Sequence, residues 1–360
     1  MPLKINILAI IFIAFLQLTH GQSNKEKAHD IGMQAIQYSK KGDYSKSLEL
    51  LKEARKLDPE NIVYSYEIAL AHTYKKEYKK SIKILNKLRK SKDVHDKIYQ
   101  LIGVNYSLNG QANKAIEFFD KGLKKFPNSG ILHLERGNME LYAEEYSSAL
   151  SYYEKGIIAE PSFPSNYYWA SKLYCSSSES VWGLIYGEIF MNLERNSKRT
   201  AEISQLLFDT YKSKISFTSD TSMSAKFCDK IIVDVSNFND STGFKMPFCM
   251  IFGTSILLAI INEKEINISS LDRIRQTFID HYFSSDSHNT HPNILFEYQK
   301  KIKQAGHIEA YNHWILMKGD PKGYEEWYLK NEEKWEAFID WFTENRIKID
   351  KNNYFHRKQY

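Results

Sequence analysis

The chain has 360 residues, and its 49 basic and 44 acidic side chains leave a net charge of +5. That length holds two structural units with sizeable cores. A charge spread so close to balance along the chain lacks the concentrated basic face expected of a nucleic-acid-binding protein.

Residues 1–21 read as a secretory signal peptide: Lys4 is the positive n-region, Ile5–Leu18 the apolar run, and Thr19-His20-Gly21 the small-residue end, with cleavage between Gly21 and Gln22. The apolar run is fourteen residues long, short of what a bilayer core requires. The expected mature chain therefore has no stable membrane span and works in a periplasm or extracellular space. Its three cysteines, Cys175, Cys228 and Cys249, form neither a disulfide framework nor a metal-binding CxxC pair. A Cys228–Cys249 bridge and three small buried hydrophobes are the two readings. The place of Cys249 inside an apolar run favours the second.

From Ala28 the sequence recurs every 34 residues, in segments 28–61, 62–95, 96–129 and 130–163 and a degenerate 164–195. Each segment reads as two amphipathic helices joined by a turn, such as Gly42-Asp43-Tyr44 or Asn109-Gly110. One column of small residues runs Ala35, Ala69, Gly103, Gly137, Ser171; a second runs Ser47, Ser81, Ala115, Ala149, Gly183. Small side chains at constant spacing mark close approach of paired helices. Tyr38, Tyr106 and Tyr174, and the stops at Pro59, Pro127 and Pro161, hold the same period. The second segment lacks the proline and has Leu88 where its neighbours have Ala54 and Gly122; the fifth replaces its turn by Cys175–Ser180. An atypical terminal repeat is expected where the array meets something else.

In period and in its small, aromatic and proline positions, this half of the chain resembles the tetratricopeptide repeat family. The resemblance implies a right-handed α-helical solenoid over residues 25–195, with the first helix of each repeat lining a concave groove. The matching positions are Tyr66, Leu70, Tyr74, Gln100, Val104, Leu108, Leu134, Asn138, Tyr142, Tyr168 and Lys172. Family members that grip a C-terminal carboxylate use Lys and Asn early in the groove, and Gly32 and Ile36 stand there instead. The implied function is binding of a protein or peptide in a tyrosine-rich trough, unless the C-terminal half packs into it.

Residues 196–346 lose the period and read as a mainly α domain. Lys198–Ser213 is helical, and Ile215–Phe217 with Ile231–Val235 suggests a small hairpin. Met246–Ile261 reads as a buried helix rather than a span, because it has sixteen residues including Pro247 and Gly253. Ser269 and Asp272 suggest a capping box for a helix to Phe283; further helical patterns run from Pro292 to Met317 and from Pro321 to Arg346. The basic tail, residues 347–360, is expected to be solvated.

No Gly-x-Gly, Walker sequence, HExxH, GxSxG or CxxC is present. The one constellation of metal-ligand type is Asp280, His281, Asp286, His288 and His291, with His307, Glu309 and His313 one helix later. It is the basis of the alternative function, a metal-dependent hydrolase or other enzyme in the C-terminal domain. His288 and His291 lie in a polar loop, and His307 and His313 are six apart and do not share a helix face. The expectation is a non-catalytic protein with no metal and no cofactor.

Overall fold

The computed structural model describes residues 23–219, 222–228 and 246–360. The signal-peptide segment and Ile231–Val235 lie outside the described residues. The chain divides into two compact units, Met1–Met139 and Glu140–Tyr360.

The first unit is a stack of antiparallel helix pairs. It holds α1 (23–40), α2 (Tyr44–Leu57), α3 (Ile62–Tyr74), α4 (Tyr78–Leu88), α5 (Asp96–Leu108) and α6 (Ala112–Lys125). The helix α7 (Gly130–Tyr142) begins in it. From α2 to α6 each helix packs on the next, and α3 also meets α5, so neighbouring pairs cover one another's apolar stripes. One core gathers Ala35, Leu48, Leu51, Ala54 and Ile68; the next gathers Ala69, Leu85, Ile102, Ala115 and Phe119.

The small-residue columns are what permit this stacking. All ten positions are buried in both compact units. At Gly103 an added Cβ would fall on the Phe119 ring, and at Gly156 on the Asn166 amide. The prolines act as stops: α2, α6 and α8 (Tyr146–Ala159) each end two residues before Pro59, Pro127 and Pro161. The aromatic column is less uniform, since Tyr38 is exposed, Tyr106 half-buried and Tyr174 buried. A further column appears only in the backbone. Gly42, Lys76, Gly110 and Glu144, again 34 apart, all have φ between 59° and 83° and turn the chain between paired helices. Only two of the four are glycine, the residue that adopts this region without a Cβ penalty.

In the second unit α8 packs on α9 (Pro164–Cys175), which pairs with α10 (Ser180–Leu193). The helical pitch then runs one element further than the sequence columns. First helices start at 62, 96, 130 and 164, and α11 (Lys198–Lys214) starts at 198 and packs on both α9 and α10. The columns miss it because the small residue of this contact sits on the other partner: a Cβ at Gly187 on α10 would meet Leu207 at 2.8 Å and Ile203 at 3.1 Å. A Ser197–Thr200 capping box starts the helix.

β1 (Ile215–Ser219) pairs antiparallel with β2 (Ser222–Ala225). Cys228 and Cys249 are joined, which corrects the preference for three buried hydrophobes; Cys175 is free and buried. Alkylation of the unreduced, denatured chain is therefore expected to label one thiol, and after reduction three. Three labels before reduction would contradict the bridge.

The remaining helices are α12 (Phe248–Ala259), α13 (Ile268–Ser284), α14 (Ser287–Thr290), α15 (Ile294–Gln304), α16 (Ile308–Leu316), α17 (Pro321–Tyr328) and α18 (Glu332–Glu344). Two long helical patterns are in fact broken. Gly306, at φ 82°, separates α15 from α16, and Asn331 precedes α18. The capping box of α13 is formed by Asn267 and Ser270 rather than by Ser269 and Asp272. The α12 helix is not wholly buried, since Leu257, Leu258 and Ile261 beside it are exposed.

The tail is docked, against expectation. Phe355 is buried, Tyr360 stacks on Phe248 at 4.7 Å, and Arg357 Nε donates to Glu154 Oε1 at 2.8 Å. Composition misled here because one arginine and two aromatics, matched to partners 203 positions away in the case of Glu154, outweigh a polar average.

Candidate functional site

Among the described residues, the first unit exposes large apolar side chains on its first helices. Tyr74 is 53% exposed and Leu108 55%, at equivalent ends of α3 and α5. Tyr74 stacks on Tyr44, with ring centroids 5.1 Å apart. Tyr66, Leu70, Gln100, Val104, Leu134 and Asn138 are half-buried on the same set of helices. Tyr66 packs edge-on to His95 at 5.5 Å, and burial pushes its phenol up to about 12.

Polar groups on these helices are few and specific. Gln100 Nε2 donates to Glu135 Oε1 at 2.7 Å, and Asn138 Nδ2 donates to Glu135 Oε2 at 3.3 Å. Burial still raises the Glu135 carboxyl above the usual range, because neither neighbour carries a charge. Glu67 is raised for the same reason, with Lys97 opposing the shift. Charge is also less evenly spread than composition suggests. The α4 helix has no acidic residue and exposes Lys79, Lys80, Lys83 and Lys87.

In the second unit Tyr142 is 77% exposed. Tyr168 and Lys172 are both engaged by α11. Tyr168 is only 6% exposed, its hydroxyl donates to Glu202 Oε2 at 2.5 Å, and Lys172 Nζ donates to Glu202 Oε1 at 2.5 Å. Glu202 belongs to α11, so the segment after the repeats covers the first helix of the fifth pair. Tyr168 is thereby buried, while Lys172 stays a third exposed.

The histidine region does not converge. No group of three or more His, Cys, Asp or Glu among the described residues is placed to hold a metal ion. Asp280 pairs with Lys303 at 2.7 Å, His288 Nδ1 donates to the Ser285 carbonyl at 2.8 Å, and His291 is buried beside Tyr360. His307 is the N-cap of α16 rather than a member of its face, and its ring lies 5.5 Å from Trp341. Glu309 accepts from Trp327 Nε1 at 2.8 Å and from Lys334. His313 stacks on Trp327 at 4.0 Å and donates from Nδ1 to the Glu309 carbonyl. Burial lowers its pKa below the usual imidazole value.

A polar constellation that sequence reading missed lies in the second unit. Arg275 makes a bidentate pair with Glu188, at 2.7 and 2.9 Å. Glu188 also accepts from Gln299 at 2.5 Å and Tyr311 at 2.8 Å. Asn312 accepts from Arg275 Nε and donates to Asp272. The carboxylate has a charged partner and three kinds of donor, so the network is satisfied and closes the face of the last pair. The signal was available: Glu188 is the one charged residue between Val181 and Met191.

No family model matches the sequence, and no curated protein matches it. Solved structures similar to it include TTC0263, a thermophilic tetratricopeptide repeat protein of Thermus thermophilus. That match has 16% identity, covers 50% of this chain and 98% of that one, and has a TM-score of 0.42. Pseudomonas aeruginosa pilF matches at 16% identity over 53% of this chain and 86% of its own, with a TM-score of 0.43. A MamA structure matches at 17% identity over 44% and 93%, with a TM-score of 0.35. The chain's own 34-residue register of paired helices, with its buried small-residue columns and its left-handed turns, gives it the fold of a tetratricopeptide-like α solenoid.

Proposed function

We propose that this protein is an exported, non-catalytic scaffold that binds a protein or peptide partner on the first-helix face of its repeats. The observation that carries the reading is the pair Tyr74 and Leu108: large, half-exposed and at equivalent places on successive first helices. The backbone beneath them is already ordered, which lowers the entropic cost of binding. Export rests on the signal-like order of residues 1–21. The separate structural contacts of the His281–His313 region support a non-catalytic reading of that segment.

The test is crosslinking in the producing cells, comparing the full-length chain with its Tyr74→Ala and Leu108→Ala variants. Each substitution is expected to weaken capture of the same partner by about 1–3 kcal/mol while leaving the melt nearly unchanged. Equal capture by all three would remove this face from consideration.

A further inference from the structure

Within the first unit, α1 and α3 enclose a hollow of about 280 Å³. Met33, Ile36, Val63 and Tyr64 line it with carbon, and His29 and Glu67 add polar groups. Met33 is 47% and Val63 50% exposed, so the hollow is open to solvent rather than a sealed packing defect. Its form depends on Gly32, where a Cβ would meet the Tyr64 ring at 2.7 Å.

The carboxylate of Glu67 is the distinctive feature. It takes no hydrogen bond or ion pair among the described residues. The Asn61 side chain, which also lines the hollow, is used in capping Val63 N–H at 3.1 Å. Lys97 on α5 opposes the shift but forms no bridge to Glu67. Burial therefore wins, and the carboxyl is pushed above its usual range. A half-buried carboxylate without an ion pair carries a desolvation cost, which an incoming cation relieves.

We infer that this hollow is a subsite for a lysine or arginine side chain of the bound partner, its aliphatic stem against Met33, Ile36 and Val63 and its charge on Glu67. Long basic side chains combine these two halves, an apolar stem and a charged head. The volume is enough for one such side chain. The inference rests on the proposed docking face and names the chemistry of what docks there: a peptide with a basic residue flanked by apolar ones.

The experiment selects a random dodecapeptide library, displayed on phage, against the immobilised full-length chain. Enriched peptides are then measured by fluorescence anisotropy against the parent, Glu67→Gln and Tyr74→Ala. Enriched peptides are expected to share a Lys or Arg beside an apolar residue. Glu67→Gln should weaken them by about tenfold, with a melting temperature equal to or above that of the parent. Replacing the peptide's basic residue by norleucine should weaken binding to the parent and make little difference to Glu67→Gln. Unchanged affinity for Glu67→Gln together with loss on Tyr74→Ala overturns the subsite and leaves the docking face standing. No enrichment at all overturns both.

Discussion

Arg275→Met is expected to destabilise the second unit by roughly 3–5 kcal/mol, because it leaves the Glu188 carboxylate buried without its cation. Both side chains are almost wholly buried, so water cannot take over the lost partner. Gln299 and Tyr311 would remain as donors, but neutral donors do not replace a guanidinium held by two bonds. The double variant Glu188→Leu with Arg275→Met should recover part of the loss, since it removes the unpaired buried charge while leaving Gln299, Tyr311 and Asn312 short of a partner. Urea unfolding of the parent and the two variants is the measurement. A single variant as stable as the parent would show that the pair is not desolvated as the structure has it.

Gly183→Ala is the second large effect. The added Cβ would lie 2.5 Å from the backbone nitrogen of Cys175 and 2.6 Å from its sulfur. A backbone atom cannot swing aside as a side chain does, so α9 and α10 must part, at or above the top of the range of about 1–3 kcal/mol for overpacking. The control is Gly253→Ala in α12, where a Cβ would meet nothing within 4 Å. There the helix should gain up to about 1 kcal/mol from better propensity. Thermal melts of the two alanine variants are therefore expected to move in opposite directions. If they move together, Gly183 is not a point of close helix approach.

Both predictions come from the same region, where the repeat pattern stops. Repeats stack because each offers its neighbour an equivalent apolar face, and the last one must be covered by something else. Here α11 keeps the pitch while α13, α15 and α16 bring Arg275, Gln299 and Tyr311 to Glu188. The same covering puts Glu202 over Tyr168 and Lys172. Tyr168 and Lys172 thus contact the covering helix, while Tyr74, Leu108 and Tyr142 remain exposed.

The sequence by itself determined the helix pairs, their register and their stops. These are set by local sterics: a close helix approach admits only small residues, as at Gly103 and Ala149, and a helix ends ahead of Pro127 whatever surrounds it. It also carried the candidate surface, through the recurrence of Tyr74 and Leu108 at one spacing. The tertiary structure alone decided how the array ends, where the tail lies and what the histidines do. Glu188 meets Arg275 across 87 positions, and Glu154 meets Arg357 across 203. No periodicity encodes such pairs, since each depends on where two distant elements pack. His307, Glu309 and His313 likewise look like ligands in a list, yet the structure sets one at a helix cap, one on a tryptophan N–H and one on a tryptophan face. Residue type states what a side chain is able to bind, and only its neighbours decide whether that capacity is already used.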